Sequence, residues 1–113
     1  MIMLDIEDRE VNGVTVVDFF GKMNTSTSPE AEKYINQLLD QGANKILLNL
    51  DELDFISSTG LRVILATGKK LSASEGKLVI CSPNITVKDV LDMSGFSTMF
   101  SVYETEDEAL KNF

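Results

Sequence analysis

The chain contains no histidine, no tryptophan and one cysteine among its 113 residues. Without histidine there is no Ser-His or Cys-His nucleophile pair, no histidine phosphorelay and no ordinary route to a zinc site. Cys81 has no partner for a disulfide or for a thiol metal pair, so it is expected to pack as a small hydrophobe. Long apolar runs are missing too. None approaches the roughly 20 residues that span a bilayer, and Asp5, Glu7 and Asp8 stand where a leader would carry basic and then apolar residues. A cytoplasmic chain without membrane insertion is expected. Positive charge is scarce: ten Lys and Arg face eighteen Asp and Glu, for a net charge of -8. That balance repels phosphate backbones, so direct nucleic-acid binding is not expected. There is no Walker-type phosphate loop, no dinucleotide glycine pattern and no metal-ligand cluster, and therefore no expectation of an enzyme, a cofactor or a metal.

What is present reads as one domain spanning residues 1–113, since 43% hydrophobic residues over this length supply one core and little more. Ile2, Leu4 and Ile6 alternate with other residues, and Asn12-Gly13 precedes the apolar stretch Val14 to Phe20, which predicts a hairpin closed by Gly21. The polar connection Asn24 to Ser28 leads to Pro29 and a helix to about Gln41, capped by Thr27 or Ser28, with Ala31, Tyr34, Ile35, Leu38 and Leu39 on one stripe. Lys45 to Leu50 is apolar enough for a central strand covered on both faces. After an acidic loop, Asp51 to Asp54, and the apolar pair Phe55-Ile56, the residues Leu61, Ile64, Leu65 and Leu71 mark a second helix ending at Gly76. Within it Gly68 costs about 1 kcal/mol relative to alanine. Lys77 to Cys81 reads as a strand, Val87, Val90 and Leu91 as a helix, Met99 to Tyr103 as a short strand, and Thr105 with Glu108 as the capping box of a last helix. Alternating strands and helices after a hairpin predict an α/β fold, a mixed sheet of about four to five strands with amphipathic helices packed on it.

The turn Ser57-Ser58-Thr59-Gly60 stands between that apolar pair and the second helix. One hydroxyl there is accounted for by helix capping, worth about 1 kcal/mol. Three in a row exceed what a cap needs, and Gly60 removes a side chain from the first helical turn, which suggests a site open to a partner. Phe55, Leu61 and Leu65 fit the core stripe, whereas Arg62 falls on the polar side as a rim contact. Met93, Phe96, Met99 and Phe100 are expected to pack in the core or beside it.

The segment Leu53-Asp54-Phe55-Ile56-Ser57-Ser58-Thr59-Gly60-Leu61-Arg62-Val63-Ile64-Leu65 resembles the phosphorylation-site segment of the STAS family, whose founding members are bacterial anti-sigma factor antagonists. The resemblance extends to Val14 to Gly21, to Lys45 to Leu50 and to Val90 to Phe96. It implies a STAS-like fold and places the phosphate acceptor at Ser58. The acidic residue usual before the acceptor is here Ser57, and the aspartate often found three positions after the early glycine is here Asn24. Partner contact is then expected at Ser57, Ser58, Thr59, Gly60, Arg62 and Asn24. The implied partners are an anti-sigma factor serine kinase of histidine-kinase-like ATPase fold, bound by the unmodified chain so that a sigma factor is freed, and a PP2C-type phosphatase that resets the switch. The alternative that the resemblance leaves open is a stand-alone STAS interaction subunit of another assembly, a signalling scaffold or a lipid-transport complex.

Overall fold

Asn12 and Gly13 both take positive φ, 53° and 80°, as a two-residue turn matched to the twist of its strands requires. In the computed structural model, which describes residues 3–113, this turn joins β1 (Leu4–Val11) to β2 (Val14–Met23) in an antiparallel hairpin running from Leu4↔Gly21 to Val11↔Val14. Ile2, part of the alternation that predicts β1, lies outside the described residues. Gly21 does not close the hairpin. It takes φ +115°, a Cβ there would lie 2.2 Å from the Met3 carbonyl oxygen, and β2 passes through it to Met23 with a shift in register.

The chain continues through α1 (Ser28–Asp40), β3 (Lys45–Asn49), β4 (Leu53–Ile56), α2 (Ser58–Ala73), β5 (Lys77–Cys81), α3 (Ile85–Met93), α4 (Phe96–Met99), β6 (Ser101–Tyr103) and α5 (Glu106–Leu110). The sheet is ordered β1-β2-β3-β5-β6, and β4 also pairs with β2. Outside the hairpin every pairing is parallel. The sheet has six strands where the sequence suggested four to five, and the addition is β4. Its four residues bury Leu53 and Ile56 and expose Asp54 and Phe55, so the two-residue alternation that announces a strand is absent. Met99, read as the start of the last strand, instead ends α4.

Both faces of the sheet are covered, as the apolar run of β3 anticipates. Ile46 and Leu48 join the large core under α1 and α2, while Leu47 faces the smaller cluster of Val14, Val16, Val79, Cys81 and Ala109. Burial of Cys81 pushes its thiol up to about 11, consistent with packing as a hydrophobe. The helix stripe of α1 is buried as expected, with Ala31, Ile35 and Leu38 in the core and Tyr34 and Leu39 packed against it. Phe96 is buried and its ring lies 5.7 Å from that of Phe100. Gly68 has a packing reason: a Cβ there would fall 2.4 Å from Phe100. Three residues depart from the core reading. Phe55, Met93 and Met99 are 41%, 88% and 57% exposed, Phe55 because β4 points it away from its buried neighbour Ile56, and Met93 and Met99 because they end short helices beyond the reach of the core.

Candidate functional site

β2 and β4 run parallel, with Met23 level with Ile56, so the segments that leave them emerge side by side at the carboxyl ends of the strands. Those segments are Asn24–Thr27, leading to α1, and Ser57, leading to α2. The ladder extends one step further, since the Ser57 backbone N–H donates to the Met23 carbonyl at 2.9 Å. Topology therefore brings together two polar segments that are far apart in sequence, at the end of an open α/β sheet where binding sites are commonly built.

The hydroxyls that flank Ser58 at the entrance to α2, those of Ser57 and Thr59, both have bonds to make. Ser57 is the N-cap of α2, and its Oγ accepts from the Gly60 N–H at 3.4 Å. Ser57 Oγ lies 2.7 Å from Thr59 Oγ1, which lies 3.1 Å from Ser28 Oγ on α1, and Ser28 donates to the Asn24 carbonyl at 2.6 Å. A hydroxyl has one proton. Because Ser28 spends its proton on Asn24, Thr59 donates to Ser28 when Ser57 donates to Thr59, and a single directed chain links the entrances of α2 and α1. Among the described residues Ser58, the first residue of α2, has no side-chain hydrogen bond, and it is exposed.

The connection from β2 is held by its own side chains. Asn24 Oδ1 accepts from the N–H groups of Ser26 at 2.9 Å and Thr27 at 3.1 Å. Thr27 Oγ1 accepts from the Asn24 N–H at 2.9 Å and donates to the Lys22 carbonyl at 2.8 Å. Thr27 stands at the N-cap of α1, yet its hydroxyl serves this turn and caps nothing. Asn24 and Ser57, where an acidic residue was expected from the resemblance, both make local structural bonds. A carboxamide oxygen at 24 accepts the bonds a carboxylate would, and a serine at 57 caps as an aspartate would.

Gly60 opens inward. It is buried, and a Cβ would meet Ile56 Cγ1 at 2.7 Å and Met23 at 3.0 Å, so the missing side chain lets α2 lie close on β2 and β4. The sequence suggested an opening toward a partner instead. Arg62 is exposed on α2, and with Thr25, Ser28, Pro29, Glu32 and Thr59 it lines a depression of about 220 Å³. Leu61 and Leu65 are half-buried against the core. Of the residues assigned to the site from sequence, Ser57, Ser58, Thr59, Arg62 and Asn24 are thus gathered at one end of the sheet. The residue missed is Ser28, whose 3% exposure and bond to Thr59 make it the joint between the helices. Its sequence signal was the hydroxyl-rich run before Pro29, read as a cap.

A larger opening, of about 560 Å³, lies between Asn49, Asp51, Asn84 and Glu106 at the ends of β3, β5 and β6. Nearby, Arg9 pairs with Asp18 at 2.8 Å and also with Glu106, and Asn49 Nδ2 donates to Glu106 at 3.0 Å. The hydrogen bond from Arg9 holds the Glu106 carboxyl below the usual range, against the opposing effect of its burial. This network ties α5 to the hairpin. No helix of the described residues is long and apolar enough to cross a membrane.

The chain resembles known proteins in sequence and in fold. The chain is 32% identical over 108 residues to the anti-sigma F factor antagonist of Paenibacillus polymyxa, covering 95% of this chain and 92% of that protein. The fold matches Bacillus SpoIIAA, an anti-sigma factor antagonist, in its unphosphorylated form with a TM-score of 0.82 at 24% identity, over 96% of this chain and 95% of the other. The phosphorylated form of SpoIIAA matches with a TM-score of 0.74 at 24% identity, over 96% and 98%. The STAS domain profile matches residues 5–109, which takes in the hairpin, the sheet and both helix entrances, and the chain belongs to the STAS domain family.

Proposed function

We propose that this chain is an anti-sigma factor antagonist whose unmodified surface at the entrance to α2 grips an anti-sigma factor kinase and so frees a sigma factor. Phosphorylation of Ser58 by that kinase ends the grip, and a PP2C-type phosphatase restores it. On this reading the chain is a substrate and a binding partner, one STAS-like domain with no catalysis of its own. The observation that carries the proposal is the position of Ser58, an exposed and uncommitted hydroxyl flanked by two that the fold has already used. The relative from P. polymyxa is named for antagonism of an anti-sigma factor, and SpoIIAA exists in unphosphorylated and phosphorylated forms. Both support the reading.

The sign of the switch follows from the energies. A phosphoserine brings about -1.5 to -2 charges, and at a helix N-terminus the dipole favours them by about 0.3 to 1 kcal/mol, so the modified chain stays folded. Burying the same dianion under a partner without a matched cation costs several kcal/mol in lost hydration. Desolvation exceeds the dipole gain, and docking is lost. Ser58 and Arg62 form the exposed contact, with Ser57, Thr59, Gly60 and Asn24 shaping the surface beneath them.

The test is capture of partners from the organism's own extract on the immobilised chain, with and without ATP, followed by mass mapping of the chain. The proposal expects an ATPase of histidine-kinase-like fold to be retained without ATP and released as phosphate appears on Ser58. Phosphate confined to other residues contradicts the assignment. Retention of transporter subunits in place of the ATPase would move the chain to the lipid-transport alternative.

A further inference from the structure

Arg62 is four residues beyond Ser58 on α2, the spacing at which helical side chains meet. Cα–Cβ bonds on a helix tilt toward its N-terminus, so the arginine side chain leans back over the turn that Ser58 begins. Arg62 is exposed and makes no ion pair among the described residues. It also lines the depression beside Thr59 and Ser28. From this geometry we infer that Arg62 is the intrachain counterion of a phosphate on Ser58, an inference that rests on the modification proposed above and adds a second change to the docking surface.

In the unmodified chain the guanidinium is free to meet a carboxylate on a partner. Once Ser58 is phosphorylated, the planar fork of N–H donors has phosphate oxygens one turn away, a geometry in which arginine binds in pairs of parallel hydrogen bonds. One guanidinium offsets only part of the about -1.5 to -2 charges, so modification leaves net negative charge on the surface to be dehydrated and withdraws a cation from it. Other charges act on the same phosphate. Glu32 of α1 lines the depression and Asp54 of β4 lies four residues before Ser58, and both disfavour its second ionisation. Lys22 of β2, in register with Phe55, favours it from the strand end.

The experiment installs phosphoserine at position 58 during synthesis by genetic encoding and follows the second phosphate ionisation, near pH 6 in free phosphoserine, by phosphorus NMR. The wild-type chain, Arg62→Gln and Arg62→Lys are compared at low salt, with circular dichroism confirming the fold of each. Arg62→Gln is expected to titrate about 0.15 to 0.4 pH unit above the wild type, the size of a single helical charge pair. Arg62→Lys is expected to recover most of that difference, which should vanish in about 1 M salt, where charges are screened within about 3 Å. Superimposable titrations of wild type and Arg62→Gln overturn the inference. Because the phosphate is built in, this result is independent of whether a cellular kinase modifies Ser58, which extract phosphorylation with mass mapping decides.

Discussion

At the scale of single residues, the hydroxyls around α2 divide by what the fold asks of them. Ser58→Ala removes an exposed oxygen and no hydrogen bond. Its stability is expected to stay within about 0.5 kcal/mol of the wild type, and intact mass should show no phosphate after exposure to the extract with ATP. Ser28→Ala is different. It deletes the buried acceptor of Thr59 and the donor to Asn24, and denaturant melts should show a loss of about 1 to 3 kcal/mol. Equal stability of wild type and Ser28→Ala would mean that the hydroxyl chain does not hold the helices together. The run Ser57-Ser58-Thr59 was legible in the sequence because three hydroxyls exceed the needs of a cap. The role of Ser28 was not, since its partner Thr59 is 31 residues away and nothing in a local pattern announces a contact made by strand pairing.

At the scale of elements, α2 must lie close on β2 and β4 to present its first turn. Gly60→Ala puts a methyl group 2.7 Å from Ile56 Cγ1, and the overpacking is expected to cost about 1 to 3 kcal/mol in a denaturant melt. No loss on this substitution would contradict the close approach. The other face of the sheet depends on α5, held by Arg9 and Glu106. Hydrogen bonding by Arg9 lowers the folded-state pKa of Glu106 below its unfolded value. Its contribution is therefore full above the unfolded value and is lost as pH falls through the folded one. The stability advantage of wild type over Glu106→Gln is expected to be present at neutral pH and to disappear in acid. An advantage that persists below the pKa of folded Glu106 would rule out this linkage. The hairpin, β3 and the long helices could be read from turn chemistry, continuous apolarity and helical spacing. β4 could not, because with four residues and no alternation it is defined by its pairing with β2. The exposure of Met93 and Met99 was equally hidden, since an apolar residue at a helix end carries no mark of where the core stops.

At the scale of the whole molecule, the net charge of -8 and the exposed carboxylates of Asp51, Glu52 and Asp54 set the field into which a phosphate is added. Long-range repulsion of this kind weakens with salt, whereas the cost of dehydrating a phosphate at a closed interface does not depend on distant charge. Partner release is then due chiefly to dehydration. It follows that release should survive at about 0.5 M salt, where surface charges are screened beyond about 4 Å. The most direct measurement is calorimetric titration of the captured ATPase with the unmodified chain and with the chain carrying phosphate on Ser58, at low and high salt. The account predicts affinity weakened by about 100-fold or more at both salt concentrations, the equivalent of about 3 kcal/mol of unrecovered hydration. Equal affinity of the two forms, or a difference that disappears with salt, would contradict it.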